Sequence, residues 1–273
     1  MGGEDKIAVN NILSYFDQIL AFAKSYGLPL AKKRAVLREY LQVKILELLF
    51  REKKAVGLCF VGGTALRLLY ELNRFSEDLD FDLIDLNRKQ TDDLVKKVFG
   101  NLQKQGLSLD FYRNVSKKKI FYEFRFKDLL FDLGISKNAN EKLAIKLDFE
   151  DFWRGHKKQA VLLNRYGFLA NVMTIDLNQQ LVQKLYAYLK RAETQPRDIY
   201  DIVWLIAQKA VIDKSFFRKN KMPSNLIDKA LKKFRKEKRR LTGFQTKLKP
   251  FLSDASEAEK ILFFPEMVKI FGK

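Results

Sequence analysis

The sequence predicts an α+β protein: a mixed sheet flanked by helices, followed by a C-terminal helical domain. Three observations carry this. Segments within residues 107–133 and 143–150 alternate with period two, as strands with one buried face do. Residues 11–25 and 31–51 space their apolar side chains as helices do. The composition then shifts near residue 170 from mixed strands to helices, giving expected domains at 1–170 and 171–273.

The first helix carries Ile12, Tyr15, Phe16, Ile19, Leu20, Phe22 and Ala23 at helical spacing. After Gly27 and Pro29 the second carries Leu37, Leu41, Ile45, Leu48 and Leu49. Val56–Val61 reads as a short apolar strand ended by Gly62-Gly63, and Thr64 reads as the N-cap of the helix that follows. Asp78–Leu83 alternates strictly, with Asp78, Asp80 and Asp82 on one face and Leu79, Phe81 and Leu83 on the other. A helix is expected over 89–105, closed by Gly106. Successive strands are expected over 107–133, with Tyr122, Phe124 and Phe126 facing one way. The strand 143–150 sets Lys146, Asp148 and Glu150 opposite Ile145, Leu147 and Phe149. Helices are expected over 177–191, 197–209 and 223–240, with short pieces near 255–271.

Composition excludes whole classes of chemistry. With one Cys (Cys59, inside an apolar run) and one His (His156), no disulfide framework, Cys/His zinc site or His-based triad can form within the chain. Catalysis would run on carboxylates, lysines and hard metal ions. No run of about 18 apolar residues suggests a membrane span, the first residues lack the order of a secretory signal, and a cytoplasmic location is expected. The 52 Lys+Arg against 33 Asp+Glu, a net charge of +19, favour polyanionic partners, nucleic acid first. Lys229–Arg240 concentrates this charge, eight basic residues in twelve. Ala230, Leu231, Phe234 and Leu241 give it an apolar edge, so it is expected to be a docked helix offering a track to an RNA backbone.

Against that background RFSEDLDFD (74–82) gathers four acids into six positions. Clustered carboxylates repel unless a cation lies between them. Side chains two apart on a strand share a face, so Asp78 and Asp80 could grip one or two divalent ions, the usual device of phosphoryl and nucleotidyl transfer. A solvated strand face is the alternative. Just upstream, Val61-Gly62-Gly63-Thr64 ends a strand and opens a helix, a place where phosphate approaches backbone amides and the positive end of a dipole. GxxxxGK[ST] is absent, so this is not a P-loop.

Gly62-Gly63-Thr64-Ala65-Leu66-Arg67 followed by Arg74-Phe75-Ser76-Glu77-Asp78-Leu79-Asp80-Phe81 resembles the first motif of the AbiEii/AbiGii toxin family, in the DNA polymerase β-like nucleotidyltransferase superfamily. The resemblance extends to the preceding helix (LREYLQVKILELLF) and to Pro196–Asp201, covering roughly 35–210. It implies a polymerase β-like nucleotidyltransferase core that moves NMP from an NTP to an acceptor with Mg²⁺ or Mn²⁺. Asp78 and Asp80 would be metal ligands, and Gly62, Gly63 and Thr64 would lie against the triphosphate. Asp148 would be the third carboxylate and a proton acceptor, with Lys146 on its face reaching phosphate. Lys184, Arg197, Asp198 and Asp201 match the family's helical motif near the nucleotide; an exposed Arg197–Asp201 pair is the alternative for that helix. The resemblance further implies a toxin with an antitoxin partner, a role in phage defence, and tRNA as acceptor. A protein hydroxyl as acceptor (NMPylation), or a catalytically inactive nucleotide- or RNA-binding protein, are the other readings. The chain departs from the superfamily's commoner Gly-Ser in having Gly-Gly-Thr, and its spacing to Asp78 is long.

Overall fold

A computed structural model of the chain describes residues 4–116 and 119–271, and side chains from residue 12 onward. Two helices come first, α1 (Glu4–Ser25) and α2 (Lys33–Phe50). β1 (Leu58–Val61) leads directly into α3 (Gly62–Tyr70), and β2 (Leu79–Leu83) into α4 (Arg88–Lys104). Then come β3 (Leu109–Val115), β4 (Lys119–Phe126), the short α5 (Leu129–Asp132), β5 (Leu143–Glu150), β6 (Lys158–Arg165) and β7 (Phe168–Ile175). The rest is helical: α6 (Leu177–Lys190), α7 (Pro196–Ala207), α8 (Lys214–Lys219), α9 (Leu226–Lys236), α10 (Leu241–Leu248) and α11 (Phe264–Lys269). No described helix is long and apolar enough to cross a membrane.

The strands form one mixed sheet in the order β3-β4-β5-β2-β1-β7-β6. β2 runs antiparallel to β1 and parallel to β5, while β4 is antiparallel to both β3 and β5. The residues that alternate in sequence bury one face. On it Phe60, Phe81, Phe149 and Tyr122 form a row of rings with centroids 5.3, 4.8 and 5.6 Å apart. A one-residue slip of β2 or β5 would turn these rings to the opposite face, so the row fixes the register. The Tyr122 hydroxyl closes the row on α4 by bonding Asp92, which Arg113 also clasps at 2.6 Å.

Several elements differ from expectation. Residues 53–57 form a 3₁₀ turn, and Val56 is 60% exposed, so only 58–61 of the apolar run is strand. α3 starts at the glycines rather than at Thr64. Asp78 precedes β2 rather than lying within it, and 129–132 is helical. β6 and β7 are strands that periodicity does not reveal. β6 is an edge strand that buries Leu163 and the charged Arg165 while exposing Leu162, so no apolar alternation marks it. The basic segment 229–240 is α9 followed by a 3₁₀ turn over 238–240.

The chain groups into two compact units. The first comprises 1–69, 75–152 and 160–174 and holds the sheet face just described; the second comprises 70–74, 153–159 and 175–273. In the second, α6 and α7 bury Leu181, Val182, Leu185, Ile199, Ile202 and Leu205, and Phe264 stacks on Phe234 at 4.9 Å. Ala230, Leu231 and Phe234 face this interior, whereas Lys229, Lys232, Arg235, Lys236, Lys238, Arg239 and Arg240 are exposed.

Candidate active site

Parallel pairing of β2 with β5 sets Asp80 directly beside Asp148, and Asp82 beside Glu150. Paired residues of neighbouring strands share a face and lie about 4.8 Å apart in backbone. Antiparallel pairing with β1 sets Asp80 beside Val61, the last residue before the glycine turn. The two parts of the sequence motif therefore meet at one end of three adjacent strands.

Gly62 shows how closely they meet. Its φ is +79°, a left-handed conformation that side chains resist. A Cβ built there would fall onto the Asp80 carboxylate, 3.0 Å from its Cγ. Only glycine leaves this space, so the turn and the carboxylate are one piece of geometry.

Asp148 is the second half of it. One oxygen, Oδ2, is 3.0 Å from Lys119 Nζ, which also reaches Glu150 at 3.2 Å. The other, Oδ1, is buried with no hydrogen-bond partner, and buried carboxylate oxygens normally have one. Burial pushes the Asp148 carboxyl above its ordinary value; Lys119 opposes this, and nearby Asp78 and Glu150 add to it. An orphaned oxygen, a second carboxylate in register and a third close enough to repel it are what an oxygen-loving divalent cation would relieve. The residues present thus fit Mg²⁺ or Mn²⁺, although among the described residues no three Asp, Glu, His or Cys side chains already converge as a finished cage.

The residues around this pair position it. The Thr64 hydroxyl, 1% exposed, donates to the Asp78 carbonyl, so it ties the helix to the strand instead of capping α3. What Thr64 can offer a phosphate is its backbone N–H. Gln42, on α2 and also buried, donates to the carbonyls of Ser76 and Glu77 at 3.1 and 2.9 Å. Arg38, one turn earlier, holds the Glu77 carboxylate at 2.9 Å, which removes Glu77 from the ligand set. Asp82 is 3% exposed. Sequence reasoning missed Gln42, Arg38 and Lys119. The available signal was a polar residue at Gln42 in a helix whose neighbours Leu41 and Val43 are both buried.

Lys146 is exposed on the Asp148 face, as the alternation requires. Lys184, Arg197, Asp198 and Asp201 all lie in the second unit. There Asp201 is fully buried, accepting from Arg74 Nε and Nη2 at 2.7 Å each and meeting Lys184 at 2.8 Å. Asp198 meets Arg191 at 3.1 Å and Lys184 at 3.9 Å. Although burial disfavours its charge, Arg74 and Lys184 hold the Asp201 carboxyl below its ordinary value. Asp201 therefore pairs with Arg74 and not with Arg197, the neighbour four residues away that simple helix spacing suggests. Arg197 makes no ion pair among the described residues and lines a cavity of about 250 Å³ with Pro196, Lys247 and Phe251. Cys59 is fully buried, and His156 packs edge-on against Phe216 at 5.7 Å; neither is placed for catalysis.

No curated protein matches the chain. Solved structures share its fold, among them the following two. JHP933 from Helicobacter pylori aligns with a TM-score of 0.53 at 22% identity, covering 87% of this chain and 91% of its own. A protein described as a "putative nucleotidyltransferase from H. pylori" aligns with a TM-score of 0.54 at 21% identity, covering 87% and 94%. The family model described as nucleotidyl transferase AbiEii toxin, type IV toxin–antitoxin system, matches residues 44–265, which include the glycine turn, all three strands of the site and the helices that follow. The chain belongs to the AbiEii nucleotidyltransferase toxin family.

Proposed function

We propose that the protein transfers a nucleoside monophosphate from an NTP to an RNA hydroxyl, tRNA being the acceptor the family resemblance suggests, and that it acts as the toxin of a toxin–antitoxin pair. The observation that carries the reading is the in-register Asp80–Asp148 pair, with its orphaned Oδ1, set against Gly62. Asp80 and Asp148, joined by Asp78, would hold the divalent cation. When bound, such an ion neutralises the carboxylates and the phosphate charge and steadies the oxygens of an in-line displacement.

The chain's own residues do the rest. The amides at Gly63 and Thr64, in the first turn of α3, face a triphosphate with the positive end of the helix dipole. Lys146 would reach phosphate from the neighbouring strand; Lys184, paired with Asp201 and Asp198, and Arg197 match the cations of the family's helical motif by resemblance. The acceptor oxygen bonds to the α-phosphorus, the bond to the β-phosphate oxygen breaks, and pyrophosphate leaves. The hydroxyl proton passes to a carboxylate of the Asp80–Asp148 group. Residues 1–170 would carry the chemistry, and 171–273, with the exposed cations of Lys229–Arg240, would help hold the RNA backbone.

The test is incubation with Mg²⁺, each α-labelled NTP in turn, and RNA or cell lysate. Label in RNA supports the proposal, label in protein points to NMPylation, and no label in either contradicts catalysis.

Two variants examine the positioning. Gly62→Ala should displace the Asp80 carboxylate and lower label transfer roughly a hundredfold. It should also cost about 1–3 kcal/mol of stability, read by urea unfolding, because the strained φ persists. Gln42→Leu should lower kcat by about tenfold with little change in nucleotide KM, since it loosens the approach to Asp78 without touching substrate. A KM effect alone would count against that role.

A further inference from the structure

The sheet face that carries Asp80 and Asp148 continues across β4 and β3, where it changes character. Register sets Phe121 beside Asp148 on one side and Asn114 on the other. Phe121 therefore stands two strands, about 10 Å, from Asp80. Tyr112 is on the same face, 45% exposed, with its ring edge-on to Phe121 at 6.3 Å. A cation stands against each ring: Lys146 Nζ is 5.9 Å from the Phe121 centroid, and the Arg125 guanidinium is 5.5 Å from that of Tyr112.

Apart from Asp148 with its orphaned Oδ1, three acids nearby are already matched among the described residues. Glu123 meets Arg125 at 3.1 Å, Glu150 meets Lys119 at 3.2 Å, and Asp110 meets Lys127 and Lys142 at 2.6 and 2.7 Å. Lys146 makes no ion pair among the described residues. The opposite face of these strands is core, with Tyr122, Phe124 and Phe126 fully buried, so Tyr112 and Phe121 are not needed to hold the sheet together.

Tyr112 is exposed and Phe121 half-buried; aromatic rings interleaved with cations on an open sheet are how proteins hold unpaired bases, the rings stacking and the cations taking the phosphates between. A duplex cannot use such a surface, because its bases are stacked on one another. We infer that Tyr112 and Phe121 form a platform for the unpaired end of a single-stranded RNA acceptor, with Arg125 and, while no NTP engages it, Lys146 on its phosphates. The platform's place beside Asp148 would feed that end toward the Asp80–Asp148 pair. This assignment rests on the nucleotidyltransferase reading for its purpose; its test does not.

The test is fluorescence anisotropy of a short labelled single-stranded RNA, and of the same sequence as a duplex, with the full chain in the absence of NTP and divalent cation. Single strand should bind more tightly than duplex. Tyr112→Leu and Phe121→Leu should each weaken single-strand binding roughly 5- to 100-fold without changing the slope of log K against log salt, whereas Lys146→Gln should reduce that slope by about one charge. Tyr112 is exposed, so its variant stays informative if Phe121→Leu folds poorly. Equal binding of duplex, or unchanged affinity in both ring variants, overturns the inference. So does loss of labelling of a protein acceptor with RNA binding intact, which would assign the platform to a polypeptide. Absence of NMP transfer would remove the reading of the Asp80–Asp148 pair and leave these binding results standing.

Discussion

Replacement of Asp80 by Asn is expected to reduce NMP transfer about a thousandfold or more, corresponding to at least ~4 kcal/mol of lost transition-state stabilisation. Asp80 lies in register with Asp148 on one neighbouring strand and against Gly62 from the other. Among the described residues no other carboxylate occupies that position: Asp82 is two residues further along and 3% exposed, and Glu77 is held by Arg38. Asn keeps the shape, so the backbone geometry around Gly62 should survive and the variant should unfold cooperatively. Single-turnover label transfer beside a urea melt separates the two effects. Activity within about tenfold of the parent would place the chemistry elsewhere.

The second large effect concerns stability. Arg74→Met should destabilise the helical unit by about 3–5 kcal/mol, because it leaves the Asp201 carboxylate buried with only Lys184 and no bidentate partner. Asp201→Asn should cost as much, since it leaves Arg74 and Lys184 buried together. The double variant should recover part of the loss, and a double-mutant cycle in urea measures how much. Two single losses that simply add would contradict the coupling.

The same pair predicts acid lability. Its partners hold the Asp201 carboxyl below its ordinary 3.8. A depressed carboxylate contributes stability that is fully present above the unfolded value and is lost as pH falls through the folded one. Unfolding should therefore begin below about pH 4, and Asp201→Asn should flatten that limb. An unchanged acid limb in the variant would assign it to other carboxylates.

Much of the site is legible in sequence because it is built from local rules. Strict alternation in 79–83 and 143–150 says which side chains share a face, and Gly-Gly before a helix says where backbone can approach a ligand. The sequence does not contain the pairing of β2 with β5. That Asp148 stands beside Asp80, and not beside Asp78, follows from register set by the Phe60–Phe81–Phe149–Tyr122 row. Residues acting across long separations were likewise invisible. Gln42 reaches Ser76 and Glu77, and Arg74 reaches Asp201; each looks like an ordinary polar residue until the fold buries it. Thr64 illustrates the reverse error. Its type and place suit a helix cap, but a carbonyl arriving from Asp78 claims the hydroxyl. β6 escaped because an edge strand with a buried arginine and an exposed leucine shows neither period clearly.

On the proposed reading, Asp80 and Asp148 would hold the divalent cation that nucleotidyl transfer needs. Titration of Mn²⁺ in the presence of an NTP, followed by electron paramagnetic resonance, tests it most directly. Asp80→Asn and Asp148→Asn should each weaken Mn²⁺ binding by about tenfold or more relative to the parent chain. Binding as tight in both variants as in the parent would contradict it.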